Sequence, residues 1–326
     1  MSDTDQRPIE AIGSTRHASA KLSDWLGLIR FSHTIFALPF AALAAAMAVA
    51  TPLPSGPLPS GEFATAGLRE LVGILLCMVT ARSAAMAFNR LVDHRIDAAN
   101  PRTKNRHLPA GILSRRAVAA FTVACCVAFI ASTGLFWPNW VPLAGSVPVL
   151  LFLLGYSLAK RFTSAAHLWL GVALSLSPIC TWLAIRGPES LLAPADLLAP
   201  LLLAVAVAAW VTGFDIIYAC QDAEFDAGAG LHSVPGRFGV ARALRIAAGC
   251  HALMLLVLFA LPWLAPQVGF GWLYGIALLA IAALVVRQHS LVRPEDLDRV
   301  GEAFFTANAA ISVTLLIAGA ADCLWV

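Results

Sequence analysis

The chain alternates long apolar runs with short polar breaks. Phe31–Ala50, Ala117–Phe136, Trp140–Ala159, Ala165–Ile185, Leu197–Phe214 and Ala303–Ala321 each contain no Asp, Glu, Lys or Arg. Ile246–Val286 is a double-length run broken by Pro262, Pro266, Gly269 and Gly271. A helix needs about 20 apolar residues to cross the hydrocarbon core of a bilayer, and only structures that close their own backbone hydrogen bonds survive there. The pattern therefore predicts an all-α, polytopic membrane protein. Nine transmembrane helices are expected, near residues 26–50, 67–93, 115–135, 140–158, 165–185, 197–220, 240–262, 269–287 and 302–323. The second is unusual because Arg82 lies inside it.

Composition agrees: 59% of residues are hydrophobic and 13% charged, against roughly 25% charged in an ordinary soluble domain. The first 24 residues are polar, lack an apolar core and read as a disordered tail. Residues 25–326 then form a single integral-membrane domain, whose first span serves as an uncleaved anchor. Lys and Arg cluster before span one and after spans two, four, six and eight, while the intervening loops carry almost none beyond Arg186. By the positive-inside rule the N-terminus and the basic loops are cytoplasmic, in a bacterial-type inner membrane. The net charge of +3 reflects this asymmetry and does not indicate a nucleic-acid partner. Cys77, Cys125, Cys126, Cys180, Cys220, Cys250 and Cys323 all sit in apolar spans without metal-ligand spacing, and read as free buried thiols.

The chemistry concentrates where two spans end. Residues four apart on an α-helix are offset by about 40°, so Asn89, Asp93 and Asp97 form one stripe at the end of span two. Asp215, Tyr218, Asp222 and Asp226 form a second such stripe at the end of span six, four spans later, with Glu224 on another face. This echo suggests two four-helix halves followed by a ninth helix. Ionised carboxylates beside lipid cost roughly 2.5–3.5 kcal/mol each at a helix centre, so a cation must meet them. Sparse carboxylates with room for phosphate oxygens are the ligands of Mg²⁺. Asp93, Asp97, Asp222 and Asp226 carry four negative charges, which two Mg²⁺ would cancel. Arg102, Lys104, Arg106, Lys160 and Arg161 lie on the same side and suit the oxygens of a diphosphate.

These residues resemble the UbiA superfamily of intramembrane prenyltransferases. "RSAAMAFNRLVDHRID…NPRTKNRHLPAG" and "DIIYACQDAEFDAGAGLHSVPGRFG" are similar to its two signature regions, NDxxDxxxD and DxxYAxxDxxxD. "YSLAKRFT" resembles its basic loop, and "IRFSHTIFALPFA" its entry to span one. The resemblance runs from about residue 25 onward. Within the superfamily it is strongest to the 4-hydroxybenzoate polyprenyltransferases, including the MqnP-like branch of menaquinone synthesis. It implies nine helices around a central cavity open to lipid. It also implies Mg²⁺ held by Asn89, Asp93, Asp97, Asp222 and Asp226, and a polyprenyl diphosphate gripped by Arg102, Lys104, Arg106, Lys160 and Arg161. Arg90 departs from the pattern, which has Asp there, and leaves the number of metal ions open. The implied reaction transfers a polyprenyl group to the ring of a hydroxy-aromatic acid, either 4-hydroxybenzoate or 1,4-dihydroxy-6-naphthoate, with Asp93, Asp97, Asp222, Asp226 and Tyr218 in catalysis.

The acceptor site is less visible. Arg82 lies seven residues before Asn89, hence on nearly the same face and about 10 Å deeper; it either pairs with an Asp or holds the acceptor carboxylate. Arg30 and Tyr156 are further candidates, and His232 and Ser233 are loop residues near the site. His167 and His251 fall in apolar spans and read as core histidines. An ion-coupled transporter is the competing class, but it predicts acids near mid-membrane. A CDP-alcohol transferase would carry a DG-x-x-A-R motif, which this chain lacks.

Overall fold

The computed structural model describes residues 21–29, 37–53 and 64–325. Its elements are all helices. A short α1 (Leu22–Leu28) and α2 (Leu38–Ala50) precede α3 (Leu68–Ala99), α4 (Arg115–Thr133), α5 (Val141–Ala159) and α6 (Ala166–Arg186). A single-turn α7 (Glu189–Leu192) leads to α8 (Leu198–Ala219), followed by the short α9 (Ala223–Gly228) and α10 (Val234–Phe238). The chain closes with α11 (Val240–Leu264), α12 (Trp272–Ser290) and α13 (Val300–Trp325). Among the described residues, eight helices are long and apolar enough to cross a membrane. The span expected near 26–50 is represented by the shorter α2; residues 30–36, and with them Arg30, lie outside the described residues, as do residues 1–20 of the tail expected over residues 1–24, whereas Leu22–Asp24 of that tail open helix α1. The second span outruns its expected end at residue 93 and continues to Ala99, which keeps Asp97 on the helix.

The surface is inverted relative to a soluble protein. Val123, Leu151, Leu256, Phe259, Leu279, Val286 and Ile317 are exposed, while His251, Gln288 and Asn308 are fully buried. Lipid rewards this arrangement: apolar side chains can face hydrocarbon, whereas polar ones need partners inside the protein. Accordingly, Trp210 donates to Asn308 at 3.0 Å, Gln288 reaches the same oxygen at 3.3 Å, and His251 pairs with His289 at 2.8 Å. The chain is an integral membrane protein.

Helix α8 is the axis of the bundle, packed against α6, α11, α13 and α2. Its Leu203, Val207, Trp210, Val211 and Phe214 fill the main core. Two glycines set how closely its neighbours approach. A Cβ on Gly171 of α6 would stand 2.4 Å from the Ala208 carbonyl oxygen and from Thr212 Oγ1 of α8. A Cβ on Gly213 of α8 would meet the His251 ring of α11 at 2.5 Å. Small residues at membrane helix interfaces allow this backbone proximity.

Arg186, the exception to the charge asymmetry, is buried where α6 ends. It bonds both oxygens of Asp196, at 2.5 and 3.0 Å, and donates to the carbonyls of Ala48, Thr51 and Pro52. Asp196 also accepts from Ser190 and Trp182. This arginine closes the end of α2 and is a structural lock, not a loop charge.

Candidate active site

At the end of the bundle that carries the basic loops, a cavity of about 180 Å³ opens among the C-terminal turns of α3, α5 and α8. Asn89, Asp93 and Asp97 line it from α3; Tyr156 and Lys160 from α5; Asp215, Tyr218, Asp222 and Asp226 from α8 and the segment after it. The two acidic stripes thus face one space.

Local chemistry explains how the loop after α3 turns back over the cavity. Pro101 cannot continue the helix, and disfavours helical geometry in the residue before it, so α3 caps at Asn100. The Asn100 side chain accepts from the Arg102 N–H at 2.9 Å, and Thr103 Oγ1 donates to the Asp97 carbonyl at 3.0 Å. The turn delivers Arg102 and Arg106 to the carboxylates.

The electrostatics are closely matched. Asp93, 2% exposed, is bonded by Lys160 Nζ at 2.9 Å and by Arg161 at 2.8 Å, with Asn89 donating at 3.2 Å. Asp97 meets Arg106 at 2.7 Å through Oδ1. Asp222 takes Arg102 through both oxygens and Asn100 at 3.0 Å. Arg102 also donates to the Tyr218 hydroxyl at 2.9 Å and lies over its ring. Burial works against the Arg102 charge, yet its bonds to Asp222 and Tyr218 outweigh that and raise its pKa above the ordinary arginine range. Lys160 and Arg161 follow the last turn of α5, where a helix dipole favours cations.

The second stripe is not the single helix that its spacing suggested. After Ala219 the chain tightens into a 3₁₀ turn at Cys220–Asp222 before α9 begins. A 3₁₀ turn advances about 120° per residue, which re-aims Asp222 toward Asn100 and Arg102. Ser233 caps α10 by accepting from Gly236 at 3.1 Å, and it lines the cavity with His232. Lys104 is exposed on the loop, and neither it nor the half-buried Arg82 is among the lining residues. Arg161 reaches Asp93 from beside the cavity while also holding the carbonyls of Val92 and Ser157.

Two participants escaped the sequence reading. Asn100 links the two motifs, and its only local signal was the Asn-Pro turn. His167, read as a core residue, lines the cavity and bonds Asp215 at 2.7 Å. Arg90 is buried, 3.8 Å from Asp97 Oδ2.

The donor set fits Mg²⁺. Among the described residues no three His, Cys, Asp or Glu side chains converge closely enough to hold an ion by themselves. Mg²⁺ takes one or two carboxylates and completes its shell with water and phosphate. Asp97 Oδ2, buried and without a hydrogen bond, is an oxygen that such a cation would satisfy.

Comparison with known proteins places the fold. The model of the UbiA prenyltransferase family matches residues 32–310. The chain belongs to that family. Among its relatives, a 4-hydroxybenzoate octaprenyltransferase from Nitrosomonas eutropha is 33% identical over 241 residues, covering 73% of this chain and 79% of that protein. The apo structure of a UbiA homolog from Aeropyrum pernix K1 superposes with a TM-score of 0.75 at 30% identity, over 88% of this chain and 96% of that one. A UbiA homolog from Archaeoglobus fulgidus, bound to DMAPP and Mg²⁺, shares the fold at a TM-score of 0.69 and 19% identity, over 93% of this chain and all of that one. This UbiA-family chain is a prenyltransferase.

Proposed function

We propose that this enzyme transfers a polyprenyl group from a polyprenyl diphosphate to the ring of 4-hydroxybenzoate, forming 3-polyprenyl-4-hydroxybenzoate for quinone synthesis. The observation that carries the reading is the convergence of Asp93, Asp97 and Asp222 with Lys160, Arg161, Arg102 and Arg106 around one cavity at the end of a lipid-exposed bundle. The name of the Nitrosomonas relative supports the acceptor, and the Archaeoglobus structure supports an isoprenoid diphosphate with Mg²⁺.

Asn89, Asp93, Asp97, Asp222 and Asp226 would hold Mg²⁺, which when bound supplies Lewis-acid stabilisation of charge on the departing diphosphate. Arg102, Arg106, Lys160 and Arg161, with Lys104 at the loop surface, donate to phosphate oxygens, strongest where a guanidinium bonds two at once. Such preorganised charge favours the transition state over the ground state. Tyr218, fixed by Arg102, and Tyr156 orient the reacting groups. Arg82, about 10 Å deeper along α3, receives the acceptor carboxylate, and Arg30 is a second candidate. The apolar helices keep the isoprenoid tail in the bilayer and water away from the allylic cation, which water would quench. The active-site loops and the N-terminus face the cytoplasm.

The test is product mass spectrometry. Purified enzyme with Mg²⁺ and labelled prenyl diphosphate is offered 4-hydroxybenzoate and 1,4-dihydroxy-6-naphthoate in parallel. A labelled 4-hydroxybenzoate adduct is expected. Product from the naphthoate alone would move the enzyme to menaquinone synthesis, and no adduct from either would refute the acceptor class.

A further inference from the structure

The cavity holds one acid that the metal and diphosphate roles leave unused. Asp215 Oδ2 meets His167 Nδ1 at 2.7 Å, and His167 Nε2 accepts from the backbone N–H of Val234 at 3.2 Å. With Nε2 acting as acceptor, a neutral imidazole carries its proton on Nδ1, so Nδ1–H donates to the carboxylate. His167 is buried and bonded at both nitrogens, and one turn away Gly171 brings α6 hard against α8. The pair is therefore rigidly set. Among the described residues Asp215 Oδ1 takes no hydrogen bond, and Asp215 lines the cavity. Asp93 and Asp222, by contrast, have both oxygens bonded to Lys or Arg side chains.

We propose that Asp215 accepts the proton released by the acceptor ring, and that His167 is the positioning residue that aims its free oxygen at that ring. The proposal rests on the prenyl-transfer reading above. As the C–O bond to the diphosphate breaks, its electron pair leaves with the diphosphate, and a C–C bond forms between the allylic carbon and the ring. The ring carbon then carries one hydrogen too many. Its C–H electron pair returns to the ring, and the proton passes to Asp215 Oδ1, to be lost to water when product departs. Nothing is oxidised or reduced.

The experiment uses full-length enzyme in lipid nanodiscs, with 4-hydroxybenzoate and labelled prenyl diphosphate. Asp215→Asn keeps the shape but is not a base; its kcat is expected to fall by about 100-fold or more, while Mg²⁺-dependent binding of inorganic pyrophosphate stays within about twofold of wild type. His167→Leu should lower kcat by about tenfold or more, with the KM for prenyl diphosphate unchanged. His167→Gln retains an N–H donor and should recover most of that loss. A kcat for Asp215→Asn within about threefold of wild type would overturn the proton-acceptor role. Equal impairment of His167→Leu and His167→Gln would make His167 merely structural and overturn its positioning role. If Asp215→Asn also loses pyrophosphate binding, the two His167 variants decide. Wild-type enzyme inert toward both acceptors would bring down the parent reading, and this one with it.

Discussion

Removing one half of the Arg186–Asp196 lock should destabilise the protein more than removing both. In Asp196→Ala the guanidinium, whose side chain is 0% exposed, loses both carboxylate bonds and its counter-charge. Leaving a buried charge unpaired costs about 3–5 kcal/mol. Arg186 would still donate to the carbonyls of Ala48, Thr51 and Pro52, which points to the lower end, about 3 kcal/mol. At roughly 2 °C per kcal/mol for a chain of this size, the apparent Tm should drop by about 6 °C. The double variant Arg186→Met with Asp196→Ala removes charge and counter-charge together. It leaves only the three carbonyls and the Ser190 and Trp182 donors without their partners, so it should recover part of the loss. Thermal unfolding of the purified variants in one detergent, followed by intrinsic tryptophan fluorescence, gives the ranking. A double variant that melts below Asp196→Ala would show that the uncompensated charge is not the source of the penalty.

Three further outcomes concern catalysis. Asp93→Ala and Asp222→Ala should each lower kcat by about 100-fold or more while remaining monodisperse, and near-normal turnover in either would remove it from the metal-binding set. EDTA should stop prenyl transfer and added Mg²⁺ restore it, whereas an unchanged rate in steady-state assays would rule out a divalent ion. Arg82→Ala should raise the KM of the aromatic acid by about tenfold and that of prenyl diphosphate far less; the opposite ranking assigns Arg82 to the diphosphate.

Much of this was legible in the sequence because the bilayer imposes simple demands. Twenty apolar residues in a row leave few alternatives to a spanning helix, and carboxylates repeated every four residues beside such runs require nearby cations. The gathering of bases on the side of these acids follows from that need; their direct pairing, Asp93 with Lys160 and Arg161 and Asp222 with Arg102, does not, because the spacing points to Mg²⁺ on the acids and phosphate on the bases. What stayed hidden depends on how helices meet. Nothing near His167 announces Asp215, 48 residues away, because α6 and α8 must first pack at Gly171. The 3₁₀ turn at Cys220–Asp222 interrupts the four-residue spacing, and the Asn100 and Arg102 bonds to Asp222 span more than a hundred residues of sequence. Arg186 looked like a stray loop charge until α2 was found ending upon it.

Gly171 has a practical consequence for redesign. The spacing of α6 and α8 rests on a hydrogen atom where every other residue has carbon, and no side-chain rotation can relieve a methyl placed 2.4 Å from the Ala208 carbonyl oxygen. Attempts to enlarge the cavity are best confined to its rim. A change at this contact would spread the two walls like a wedge and carry His167 and Asp215 out of reach of one another.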